Sequence, residues 1–117
     1  MGLKSLFSTK HINEFARELA DSLAKRYPPV LDVSPEKKIS ANRLTKVLEE
    51  TLSRAVDFQR EHRLGTFGKA KLGNEFKWRL RELGYSEKFI DVATEGLMVY
   101  ITRGPDKSVA GAEEKKS

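Results

Sequence analysis

The chain has 117 residues, with 22 Lys and Arg against 17 Asp and Glu, a formal net charge of +5 and no cysteine. At that length one domain is expected, and a globule of this size buries roughly two-thirds of its unfolded surface without a disulfide or a metal. The lack of cysteine excludes disulfides, thiolate metal sites and a cysteine nucleophile. No apolar run approaches the roughly 20 residues of a membrane span, and no secretory h-region is present.

Apolar residues recur at helical spacing in four stretches, and strict two-residue alternation is absent. The first predicted helix runs from about Thr9 to Tyr27, with Ile12, Phe15, Ala16, Leu19, Ala20, Leu23 and Tyr27 in one stripe. Ser8 suits its N-cap, and Phe7 and Ile12 are spaced for a hydrophobic staple. Pro28 and Pro29 stop the helix, because proline lacks the amide proton and restricts the residue before it. Val30, Leu31, Asp32 and Val33 then read as an extended connector.

The second helix has two chemically sound starts, Ser34 followed by Pro35, or Ser40. Its body places Leu44, Val47, Leu48, Thr51, Leu52, Ala55, Phe58 and Gln59 in one sector, with Gly65 as the expected stop. From Ser40 to Leu64 it would be roughly 37 Å long. The third helix, from about Lys69 to Leu83, turns Leu72, Phe76, Leu80 and Leu83 inward, and Gly73 weakens it by about 1 kcal/mol relative to Ala. Gly84 suits a left-handed C′ position with Tyr85 folding back onto Leu80. Ser86 caps the fourth helix, Glu87 sits in its positive first turn, and Tyr85 is spaced to staple onto Ile90. A tight αα-hairpin follows from that turn. The fourth helix, Glu87 to Arg103, is apolar nearly all round from Gly96 to Ile101, so it is either central or shared with a second copy. Residues 105–117 are small, charged and aperiodic, as in a disordered tail. The reading is an all-α, four-helix bundle-like single domain over residues 1–104.

Catalytic signatures are missing. His11 lies on the polar side of the first helix without zinc-ligand spacing, and His62 reads as a core-edge residue holding one hydrogen bond. A Glu-x-x-His pair of the di-iron type would need Glu at position 59, which is Gln59. His-Glu-x-x-His, Walker A and Gly-x-Ser-x-Gly sequences are absent. Gly65-Thr66-Phe67-Gly68-Lys69 lacks P-loop spacing and a preceding strand, so a loop between helices explains it. No enzyme activity, cofactor or metal is expected.

The charge is unevenly placed. Between Arg60 and Arg81 lie Arg60, Arg63, Lys69, Lys71, Lys77, Arg79 and Arg81 with only Glu61 and Glu75, a net +5 that equals the whole-chain charge. The single tryptophan, Trp78, projects away from Phe76 and Leu80, among Lys71, Asn74 and Arg81. Lys71, Lys77, Trp78, Arg79 and Arg81 are therefore the candidate binding residues. Against this stands the rarity of open tryptophans, which favours packing within the chain or against a second copy. At the N-terminus, Leu6 stands where myristoylation wants Ser or Thr, and Leu3, Leu6 and Phe7 are expected to fold against the bundle rather than on a membrane surface. The sequence points to a small cytoplasmic, non-catalytic protein acting through protein contacts, with homodimerisation through the fourth helix as one form. Nucleic-acid binding through the basic Trp face is the alternative.

Overall fold

The computed structural model describes residues 2–34, 36 and 39–104, with side chains from Thr9 onward. The chain forms an all-helical globule of five helices, with no strand among the described residues: α1 (Gly2–Arg26), α2 (Pro29–Val33), α3 (Ala41–His62), α4 (Thr66–Leu83) and α5 (Glu87–Arg103). The expected tail at 105–117 and the Ser34-Pro35 helix start fall wholly or partly outside the described residues.

α1 begins six residues before the expected cap, so Ser8 lies within the helix and not at its start. No proline or glycine separates Leu3 from Ser8, and Leu3, Leu6 and Phe7 already hold helical spacing, so nothing in that segment forces a boundary. The proline stop holds, since α1 ends at Arg26. The segment after it is a single helical turn, α2, and not an extended connector. Pro29 at the first helical position presets φ for that turn, which closes through Leu31 N to Pro28 O (2.9 Å) and Ser34 N to Val30 O (3.0 Å).

Ser40 is the start that the chain uses for α3: its hydroxyl accepts from Arg43 N at 3.1 Å. α3 ends earlier than its glycine suggests. Arg63 adopts the left-handed conformation (φ 52°), donating to Arg60 O, while Leu64 N donates to Gln59 O. A Schellman motif is thus completed without glycine at C′. Gly65 is instead the extended N-cap of α4, which starts at Thr66 and takes in the glycine-containing segment expected to be a loop. The next junction follows the sequence closely. Gly84 is left-handed (φ 104°), Gly84 N donates to Arg81 O and Tyr85 N to Leu80 O, and Ser86 Oγ accepts from Phe89 N.

The main packing pairs are α1 with α4 and α3, and α5 with α4 and α3. α1 and α3 run antiparallel, with Arg26 beside Glu50, Glu18 beside Arg54 and Phe15 stacked on Phe58 at 4.0 Å. Leu19, Leu23, Leu52, Leu72, Phe76, Leu80, Ile90, Leu97, Tyr100 and Ile101 are fully buried. In the two-sided apolar segment of α5, Leu97, Tyr100 and Ile101 are buried within the chain, whereas Gly96, Met98 and Val99 are half-buried. A Cβ at Gly73 would lie 2.6 Å from Met98 Sδ of α5, so a side chain there would require the flexible Met98 to shift.

One end of the globule is tied across sequence-distant elements. The rings of Tyr27, Tyr85 and Phe89 cluster with centroids 4.7–6.1 Å apart. The Tyr85 hydroxyl donates to the Tyr27 carbonyl, and Asp32 Oδ2 accepts from Ser86 N at 2.7 Å. Burial raises the Tyr27, Tyr85 and Tyr100 hydroxyls above the ordinary tyrosine value, with Asp32 adding to the first two and Glu49 to the third. A tyrosine whose pKa is higher folded than unfolded contributes stability in full below about pH 10 and loses it as pH rises through the folded value. Urea denaturation should accordingly show falling stability above about pH 10. Tyr85→Phe should cost about 1–3 kcal/mol at neutral pH and flatten the alkaline loss. Equal stability of parent and variant at both pH values would contradict this assignment.

Candidate functional site

The inner side of α4 is Leu72, Gly73, Phe76 and Leu80, all buried. With 3.6 residues per turn, the side opposite those residues carries Phe67, Ala70, Lys71, Asn74, Trp78 and Arg81. Trp78 is 52% exposed and Phe67 75% exposed, three turns apart on that one face, about 16 Å along the axis. Packing of Trp78 into the core of its own chain, one of the sequence expectations, is thereby corrected: the inner face is filled by Phe76 and Leu80. The earlier start of α4 matters here, because it moves Phe67 from an expected loop onto the Trp78 face.

The candidate residues are only partly gathered. Arg81 and Trp78 meet, with the guanidinium carbon 5.2 Å from the indole centroid. Arg81 is also held bidentately by Glu87, at 2.9 Å to each oxygen, which keeps the Glu87 carboxyl below the usual carboxylate range. Arg79 turns toward α1, where Asp21 Oδ1 accepts at 2.9 Å, and it also donates to Glu82 at 3.1 Å. Lys71 Nζ lies 3.7 Å from Glu75, and Arg60 lies 3.9 Å from Asp57. Among the described residues, Lys69, Lys77 and Arg63 have no carboxylate within 4.0 Å. Much of the linear charge excess is thus balanced by acids within the fold, some of them outside the 60–81 stretch. The face around Trp78 is amphipathic, with aromatic area between paired ions.

The two histidines are brought together by the antiparallel α1 and α3. Their rings form an edge contact at 6.0 Å, and His62 also touches Phe58 at 4.5 Å. His62 is exposed, which corrects the core-edge expectation; it ends the Phe15–Phe58 row at the surface. Neither histidine joins a set of three or more His, Cys, Asp or Glu side chains able to hold a metal among the described residues. No described helix is long and apolar enough to cross a membrane. Comparison with protein-family models, curated proteins and solved structures finds no match to this chain.

The ion pairs of α4 differ in burial, which gives them different expected weights. Arg79, with 27% of its side chain exposed and two carboxylate partners, should cost about 1 kcal/mol when changed to Gln. Arg60, 70% exposed with one long pair, should cost under about 0.5 kcal/mol. Urea titrations of Arg79→Gln and Arg60→Gln measure both, and equal costs would contradict the described pairing.

Proposed function

We propose that this chain is a small non-catalytic helical protein that works by contact with another protein through the outer face of α4. The observation that carries the reading is the pair of exposed aromatics, Phe67 and Trp78, on one helical face whose opposite side is core. Exposed aromatic area next to paired charges is the composition that protein interfaces favour, since Trp and Phe desolvate readily and Arg packs over them. In this reading the four long helices form one bundle-like domain in a cytoplasmic protein, with α4 and α5 as a hairpin. A second copy of the chain is the simplest partner. Because Leu97, Tyr100 and Ile101 are buried within one chain, this reading takes α4 for the dimer contact in place of the α5 contact expected from the sequence.

The nucleic-acid reading draws on the same side chains: Trp78 offers a stacking surface and Arg81, Lys71 and Lys77 offer charge. It is weaker because Lys71, Arg79 and Arg81 already face carboxylates, so phosphate would have to displace Glu75, Asp21 or Glu87.

Sedimentation equilibrium over a wide concentration range tests the first reading. A dimeric mass is expected at high concentration, and Trp78→Ala and Phe67→Ala should return the chain to monomer. The first should cost about 1–2 kcal/mol of stability, because nearly half of the Trp78 surface is covered, and the second no more than about 0.5 kcal/mol. A monomer at every concentration removes the homodimer. Salt-sensitive quenching of Trp78 by single-stranded DNA or RNA would replace protein contact with nucleic-acid binding.

A further inference from the structure

A second concentration of charge has no counterpart in the linear sequence. Lys25 and Arg26 close the last turn of α1, and Arg43 and Lys46 lie in the first two turns of α3. The antiparallel packing of these helices brings the four together around a cleft of about 550 Å³, which among the described residues is otherwise lined by Val47 alone. Arg26 pairs with Glu50 at 2.7 Å. Lys25, Arg43 and Lys46 have no carboxylate within 4.0 Å among the described residues. Glu49 and Glu50 follow Lys46 by three and four residues, yet neither reaches its ammonium group. Four cations around one concavity repel each other, and a single carboxylate offsets only part of that.

We infer that this cleft binds a phosphate-bearing anion of pyrophosphate or bisphosphate type. Arg43 and Arg26 can each present a planar pair of N–H donors to phosphate oxygens, while Lys25 and Lys46 supply mobile point charges. Two adjacent phosphoryl groups match four cations better than one does, because three positive charges remain after Glu50 is counted. The positive end of α3 and the negative end of α1 lie on the same side and offset each other, so the field in the cleft is that of the four side chains. Among the described residues no aromatic side chain lines the cleft, so they offer a nucleobase no stacking platform and recognition rests on the phosphates. This site is separate from the α4 face, and self-association through α4 is measured without phosphate, so failure of either leaves the other standing.

The experiment is a thermal-denaturation titration of the full chain with inorganic pyrophosphate at fixed ionic strength, with chloride as the balancing salt. The double variant Arg43→Gln/Lys46→Gln and the α4 control Lys71→Gln/Lys77→Gln are run beside it. Pyrophosphate should raise Tm saturably in the parent and in the α4 control, and the cleft variant should need roughly tenfold more or higher. Co-sedimentation with vesicles carrying phosphorylated inositol headgroups identifies the source of the phosphate. Retention that the cleft variant loses supports the site with a lipid headgroup as ligand, and a pyrophosphate response without retention supports it with a free phosphate compound. A response that the cleft variant keeps, or that chloride alone reproduces, overturns the site. So does the absence of any response to pyrophosphate and vesicles alike.

Discussion

The inner face of α4 has to satisfy two neighbours at once, and most of the architecture follows from that constraint. Leu72, Phe76 and Leu80 are fully buried in the seam where α4 meets α1 and α5. At Gly73 the flexible Met98 side chain fills the space a Cβ would take, so the two helices meet there without an intervening side chain from α4. Interiors are packed like solids, so a helix committed to two partners has little freedom to rotate. Turning α4 by half a turn would bury Lys71, Asn74 and Arg81 and expose Phe76. The orientation of Phe67 and Trp78 toward solvent is therefore a consequence of the core and not a free choice of the surface.

The aromatic cluster at one end of the globule complements that seam. Tyr85 donates its hydroxyl to the Tyr27 carbonyl, and Asp32 accepts from Ser86 N. Together they tie the end of α1 and the single-turn α2 to the junction of α4 and α5. Ser86 then serves two helices, since its amide is held by Asp32 while its hydroxyl caps the first turn of α5. Arg81 and Glu87 bridge the same junction from the outside. The turn is fixed by backbone, core and surface interactions together, so α4 keeps its register against α5.

Much of this was legible in the sequence where the signal is local. The stripe from Ile12 to Tyr27, the α4–α5 junction and the bounds of α5 follow from 3.6-residue spacing and cap chemistry, and the structure agrees with each. The misplacements came where one residue type suits two roles. Gly65 reads as a helix stop or a helix start, and the left-handed turn that settles it belongs to Arg63, a residue that rarely adopts φ of 52°. That single ambiguity displaced the start of α4 and hid Phe67 from the Trp78 face. Ser8 reads as a cap although an uninterrupted helix can run through serine, and the β-branched Val30 and Val33 read as extended although Pro29 initiates a turn. Tertiary relations were beyond reach for another reason. Asp21 and Arg79 are 58 residues apart, so a charge count along the chain cannot pair them. Nor can it gather Lys25, Arg26, Arg43 and Lys46, which become neighbours only once α1 and α3 are antiparallel.

Two regions of the surface consequently stand out by their different chemistry. One is the α4 face, aromatic and internally charge-balanced. The other is the α1–α3 cleft, almost wholly cationic and largely unbalanced. The claim on which the account depends is that Trp78 stands on the open side of a correctly oriented α4. Acrylamide quenching of Trp78 fluorescence, in dilute full-length protein, tests it most directly. The account predicts a red-shifted emission that acrylamide quenches readily and that becomes neither bluer nor better protected as the protein is diluted further. A blue-shifted emission shielded from acrylamide at every dilution would place Trp78 in the core and contradict the orientation of α4.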